Sequence, residues 1–362
     1  MRLAVTLEQC WHRVPGGTAT SVLRTVDALT EREDVEVVGV AARHGDPPPE
    51  PFQPSVPVWE LPLPRRALYE SWHRLRRPAV ERATGPVDAI WASAVAVPPR
   101  SAPLVVTVHD LAPLHHPEHT PKRARAFYRR AFELARTEAD LVCCPSLATL
   151  LDCAAHGFDR GRLRHVPWGV TTTAATPEQV AETRSRLGLE GDYVLWTGTI
   201  EPRKNLPVLV DAFARVARPG LTLALVGPDG WNEDLAPQIA GRDDVTTLGF
   251  VSDTDLAALY AGAAVFCYPS LLEGFGLPVL EAMAQGAPVV TSAGTATEEL
   301  VEGIGAAVDP KDPQPVADAL TAVLDDPAEA ARRGSAGRAR AAERTWNATA
   351  AAMMDVVHEA TT

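Results

Sequence analysis

Cysteine is scarce: there are five in 362 residues (Cys10, Cys143, Cys144, Cys153 and Cys267), an odd number with no CxxC pair. That suggests neither a disulfide framework nor a zinc site, and it fits a reducing cytoplasm. Long apolar runs are also missing. No window approaches the roughly 18 unbroken apolar residues of a membrane span, and the opening MRLAVTLEQCWHR turns polar too early for a signal peptide. An excess of positive charge is lacking too: 34 Lys+Arg stand against 46 Asp+Glu, a net charge of -12, which argues against a general nucleic-acid binder. The imbalance is uneven, with 21 basic against 19 acidic residues up to Trp168 and 13 against 27 after it.

What is present is an ordinary globular balance, 46% hydrophobic and 22% charged, in a chain long enough for two or three domains. Proline is the outlier, with 32 copies punctuating many loops between short elements. Short β-branched runs alternate with helical patterns throughout, as in parallel sheets built from βαβ units. The first half predicts strands at 2–7, 35–40, 87–92, 104–110 and 140–146, and the second at 193–198, 221–227, 245–250, 264–270 and 287–292. Between them, VPWGVTTTAATPEQ (166–179) has no periodicity and reads as the linker. The chain is thus expected to be α/β, with two doubly wound Rossmann-like domains, 1–168 and 169–344. The last segment, 345–362, reads as a helix free to pack on either domain, with a return to the first expected.

In such sheets ligands bind beyond the carboxyl ends of the strands. The most informative stretch there is YPSLLEGFGLPVLEAMAQGAPVVTS (268–292). A strand ends at Tyr268-Pro269, a loop holds Glu273-Gly274-Phe275-Gly276, and Pro278 suits the first turn of a helix that stops at Gly286. Glycines let backbone approach a ligand, and the helix start offers N–H groups to an anion. Glu273 and Glu281 flank that cradle as two acceptor-only carboxylates, suited to vicinal sugar hydroxyls. A second cluster, Glu201-Pro202-Arg203-Lys204-Asn205, follows the strand that ends at Gly198. Its two cations can neutralise a diphosphate and the charge that develops as a glycosidic bond breaks, so no metal is required. A surface Arg-Lys turn is the plain alternative.

These blocks, with LVGPDGW (225–231) and GFVSDTDLAALYAGAAVFCYPS (249–270), resemble the signature of family 4 retaining glycosyltransferases. That resemblance implies the GT-B architecture, two Rossmann-like domains facing across a cleft that closes over a nucleotide-sugar. It also implies that Glu273 with the amides of Phe275, Gly276 and Leu277 holds the donor sugar's hydroxyls, that Glu281 holds the nucleotide ribose, and that the backbone at Phe250-Val251 meets the base. Many relatives place an arginine directly after the glycine where this chain has Thr199, so the arginine role falls to Arg203 beside Lys204.

In the first half, the strand through Val108 ends on His109-Asp110. A neutral imidazole there can bond a sugar hydroxyl, and relatives in the family carry a His at this strand end, often as His-Asp in mannosyltransferase-like members. Gly16 and Gly17 precede a helix and match the family's glycine-rich loop. His115, His116 and His119 fit no standard zinc spacing and read as loop polar groups. Asp253-Thr254-Asp255 looks like a metal-binding DxD, but following Ser252 it reads as a helix cap.

A basic stripe on the helix predicted over 122–136 (Lys122, Arg125, Arg129, Arg136), with Arg74, Arg76 and Arg77, suggests either a solvated face or peripheral contact with anionic lipid. The expected function is metal-independent retaining transfer of a sugar, with mannose from GDP-mannose favoured, to a glycan, lipid-linked or small-molecule hydroxyl. No cofactor is expected beyond the nucleotide-sugar co-substrate. A nucleotide-sugar epimerase and a noncatalytic nucleotide-sugar-binding protein are the alternatives.

Overall fold

A computed structural model describes residues 1–120, 122–228, 230 and 235–362. Asp229 and Trp231 of the LVGPDGW block lie outside the described residues, as does the side chain of His119. The chain divides into two compact units, Met1–Gly169 together with Trp346–Thr362, and Val170–Thr345.

The first unit carries strands β1 (Arg2–Thr6), β2 (Glu36–Ala41), β3 (Val58–Glu60), β4 (Ala89–Ala92), β5 (Leu104–Thr107), β6 (Leu141–Cys144) and β7 (Leu163–His165). They form one sheet in the order β3-β2-β1-β4-β5-β6-β7, each pairing parallel. The central strands are buried on both faces, which is why they read as continuous apolar runs such as AIWA and LVCC rather than as alternating patterns. Leu61, Leu68, Trp72 and Leu104 pack one face, and Val22, Val26, Met353 and Val357 pack the other. Fully burying each such side chain is worth about 1.5–3 kcal/mol. The helix Trp346–Thr361 belongs to this unit, where it packs on the helix Gly16–Thr30 and on β4, β5 and β6.

The second unit carries β8 (Tyr193–Thr197), β9 (Thr222–Val226), β10 (Val245–Gly249), β11 (Val265–Tyr268), β12 (Val289–Ser292) and β13 (Ala306–Val308), again parallel, in the order β10-β9-β8-β11-β12-β13. Both sheets therefore reverse strand order once, between β1 and β4 and between β8 and β11. At such a point the loops leaving adjacent strands diverge to opposite faces and open a crevice for a ligand. The strands predicted in both halves are present, most of them shorter by one to three residues and β2 shifted by one. Those missed are β3, β7 and β13, three-residue edge strands too brief to leave a periodic signal.

Candidate active site

In the second unit the loops leaving β8 and β11 meet at the switch point. After β8, the chain passes Gly198 and makes one 3₁₀ turn, Pro202–Lys204. Asn205 then takes a left-handed conformation (φ 58°) and starts the helix Leu206–Val216. Its side-chain amide donates to the Pro269 and Pro310 carbonyls at 3.0 and 2.6 Å, tying the turn to the end of β11.

This aims Lys204 at the β11 loop, where its Nζ donates to Glu273 Oε1 at 2.7 Å and also to the Tyr268 hydroxyl, while lying over the Tyr268 ring. Arg203 Nη1 lies 3.2 Å from the same Glu273 oxygen and donates to the Leu272 carbonyl at 3.0 Å, and its Nη2 donates to Glu201 Oε1 at 2.7 Å. Two cations and two carboxylates thus interlock with little solvent contact; the Glu273 side chain is 8% exposed and that of Lys204 10%. Burial alone would raise the Glu273 carboxyl, but the adjacent Lys204 and Arg203 charges prevail and hold it at about 2. Burial and the neighbouring Arg203 pull the Lys204 ammonium down, opposed by Glu273 and Glu201.

Behind Glu273, Gly276 sits at φ 96°, and a Cβ there would come within 2.4 Å of Thr297 Cγ2, so glycine is required. It opens the helix Leu277–Gln285, which has no side-chain cap and ends at the left-handed Gly286. The side chains of Phe275 and Leu277 are buried, leaving backbone as what these residues can offer a ligand. Glu281 is held apart from the Lys204–Glu273 pair: its Oε2 accepts from the Tyr260 hydroxyl at 3.0 Å, and Tyr260 in turn is 2.8 Å from the Thr197 hydroxyl at the end of β8. Val251 is half-buried just beyond the carboxyl end of β10, next to the exposed Phe250. Ser252 caps the helix Asp253–Gly262 by accepting from the Asp255 amide, and Asp255 pairs with Arg186.

In the first unit, His109 lies two residues past β5. Its Nε2 is 2.7 Å from the Ser93 carbonyl beyond β4, so Nε2 carries the hydrogen and Nδ1 is the acceptor. Nδ1 is buried and has no hydrogen-bond partner among the described residues. Burial lowers the imidazole below its ordinary value, against the opposing Ser93 carbonyl and Asp110. Gly16 (φ 61°) and Gly17 open the helix Gly16–Thr30 and are exposed, with free space where a Cβ would stand.

Sequence reading missed a neighbouring cluster beyond β1 and β2. Glu8, 4% exposed, accepts from the Ala42 amide at 2.7 Å and pairs with His44, whose ring stacks on Trp11. His12 lies 3.2 Å from the Tyr69 hydroxyl, and burial, with Arg65 and His44, brings its imidazole down to about 4. No spacing signals this cluster, because its members come from separate segments.

In the basic cluster near residue 76, Arg74 and Arg77 are exposed, and Arg74 pairs with Glu70. Arg76 is committed inward, donating to the Val97 and Pro98 carbonyls and to Glu138. On the helix Lys122–Glu138, Lys122, Arg129 and Arg136 are exposed.

Residues 15–174 match the family described as Glycosyltransferase Family 4, and residues 191–326 match Glycosyl transferases group 1. The D-inositol 3-phosphate glycosyltransferase of Xylanimonas cellulosilytica is 31% identical over 96% of this chain and 92% of its own. The chain belongs to glycosyltransferase family 4. O-antigen chain mannosyltransferase B of Escherichia coli is 33% identical to this glycosyltransferase over 69% of this chain and 68% of its own. Anabaena HepE, solved with UDP and glucose, shares the fold at a TM-score of 0.79 with 22% identity, covering 99% of this chain and 100% of its own. The fold of this glycosyltransferase is GT-B, with a Rossmann-like parallel sheet in each unit. Among its described residues no helix is long and apolar enough to cross a membrane.

Proposed function

We propose that the chain is a retaining, metal-independent glycosyltransferase that moves mannose from GDP-mannose to a hydroxyl of a glycan, a lipid-linked sugar or a small molecule in the cytoplasm. The observation that carries this reading is the Arg203–Lys204–Glu273 constellation at the second sheet's switch point. Two cations beyond a strand end supply the positive charge that a divalent ion would otherwise bring to a departing diphosphate. Glu273, held ionised, accepts from the sugar's hydroxyls while the backbone of Phe275, Gly276 and Leu277 donates to them. Glu281 takes the ribose, and the backbone at Val251 borders the base.

The bond from the anomeric carbon to the phosphate oxygen breaks, and the acceptor oxygen bonds to that carbon from the same face. The acceptor's proton passes to the leaving phosphate, so the step needs no separate base. His109, neutral, bonds a sugar hydroxyl and stabilises positive charge at the anomeric carbon through its backbone neighbours, and Gly16-Gly17 let backbone approach the phosphate. The Glu8, His12, His44 and Tyr69 cluster offers both donors and acceptors to the acceptor's hydroxyls. The exposed Lys122, Arg129 and Arg136 favour peripheral contact with anionic headgroups when the acceptor is lipid-linked. Mannose is favoured by the His109-Asp110 pair and by the mannosyltransferase among the relatives.

A thermal-shift and product-release panel of GDP-mannose, UDP-glucose and UDP-N-acetylglucosamine, with and without EDTA, tests it. A donor at a hundredfold excess over its dissociation constant adds about 2.7 kcal/mol of stability. GDP-mannose is expected to give the shift and to release GDP in either buffer. A shift with UDP-sugars alone overturns the donor assignment, and a shift without turnover favours the noncatalytic reading.

A further inference from the structure

We propose that His115, Asp152 and His156 bind one zinc-type transition-metal ion, and that this ion ties together the two segments that frame His109. His115 closes the short helix Ala112–His115, while Asp152 and His156 stand four residues apart at the end of the helix Leu147–Ala155. That spacing sets Asp152 and His156 one above the other on one helix face. The fold then brings His115 to them from 37 residues away. Its Nε2 lies 2.9 and 2.8 Å from the two carboxylate oxygens of Asp152, and His156 Nδ1 lies 3.1 Å from Oδ1. All three donor atoms lie within 4.8 Å of one another.

Bonds of about 2.0–2.2 Å to nitrogen and oxygen place tetrahedral zinc ligands roughly 3.4 Å apart. The two His–Asp separations, 2.8 and 3.1 Å, therefore need only a small outward movement to match those around a bound ion. All three side chains are partly exposed, at 36%, 26% and 36%, so an ion reaches them and a fourth position stays open to water. Two imidazoles and one carboxylate suit zinc and its neighbours in the first transition row, whereas calcium and magnesium prefer all-oxygen sets. His156 Nδ1 also lies 2.9 Å from the Asp152 carbonyl, a contact that ligation would replace.

The two anchors explain what the ion would do. Asp110, next to His109, accepts from the Ala112 amide at the start of the helix carrying His115. Thr149, on the helix carrying Asp152, donates to the His109 carbonyl at 3.3 Å. An ion across the trio fixes the spacing of these two supports and stiffens the backbone on either side of His109. It takes no part in the sugar-transfer step, so the site stands whether or not the donor assignment does.

The test titrates Zn²⁺ calorimetrically, and Co²⁺ by its visible absorption, into the full chain after EDTA treatment and desalting. The expected result is one equivalent bound and a raised thermal midpoint, with affinity weakened at least about tenfold in His115→Ala and in His156→Ala. His116→Ala, next to the trio but outside it, should bind as wild type. Far-UV circular dichroism checks that each variant is folded. Failure of wild type to take up either ion at about a tenfold excess, or equal uptake by the folded His115→Ala/His156→Ala double variant, overturns the proposal.

Discussion

Lys204 Nζ and Glu273 Oε1 lie 2.7 Å apart although 69 positions separate the two residues, one on the loop leaving β8 and the other on the loop leaving β11. The pair closes the seam where the second sheet reverses its strand order. Its ionic character depends on mutual neutralisation, because a buried charge without a partner costs several kcal/mol.

That dependence has a pH signature. The Glu273 carboxyl sits at about 2 in the folded chain against an ordinary 4.5. A depressed folded value means stability that is fully present above about pH 4.5 and is lost as pH falls toward 2. By linkage the loss is about 2 kcal/mol at pH 3 and about 3 kcal/mol at the limit. Urea unfolding from pH 6 to pH 3 should therefore weaken wild type by about 2 kcal/mol more than Glu273→Gln. Parallel pH curves for the two proteins would show that the carboxylate is not held this way.

Tyr260 links the end of β8 to Glu281, since its hydroxyl donates to Glu281 and faces Thr197. Tyr260→Phe keeps the buried ring and removes the tether, a hydrogen bond to a charged group worth about 1.5–3 kcal/mol. If Glu281 holds the ribose, the KM for donor should rise about tenfold or more while kcat changes less than about threefold. A loss confined to kcat would remove Glu281 from donor binding.

His109 is a different case, because burial lowers its imidazole below the ordinary 6.5. The folded protein therefore keeps it mostly neutral from pH 8 down to 7, and protonation of His109 should not limit activity in that window. His109→Gln should lower kcat by about a hundredfold, the usual scale for a positioned polar catalyst. A wild-type rate that drops tenfold between pH 8 and 7, with the drop abolished in His109→Gln, would contradict the neutral assignment.

Much of this architecture was legible in the sequence because strands of a parallel sheet with helices on both faces are apolar along their whole length. AIWA, LVVT, LVCC and VFCY stand out for that reason, whereas the edge strands VWE, LRH and AAV are too short and too exposed to do so. Glu273, Arg203 and Lys204 were visible as motifs beyond strand ends, but their pairing with one another was not, since it depends on which two strands are neighbours at the switch point. The contacts of Tyr260 with Glu281, of Tyr268 with Lys204 and of Glu8 with His44 left no mark. Each joins an unremarkable residue to a partner from a distant segment, as His115 is joined to Asp152 and His156.

The central claim is that Arg203 and Lys204, and not a divalent ion, draw charge off the departing diphosphate. The most direct measurement is the single-turnover rate of GDP-mannose consumption, with enzyme in saturating excess over donor, in EDTA and in Mg²⁺, for wild type and Lys204→Ala. Wild type should react equally fast in both buffers, and Lys204→Ala should be slower by about a hundredfold or more in both. A wild-type rate that collapses in EDTA and returns with Mg²⁺, or a folded Lys204→Ala within about threefold of wild type, would contradict the claim.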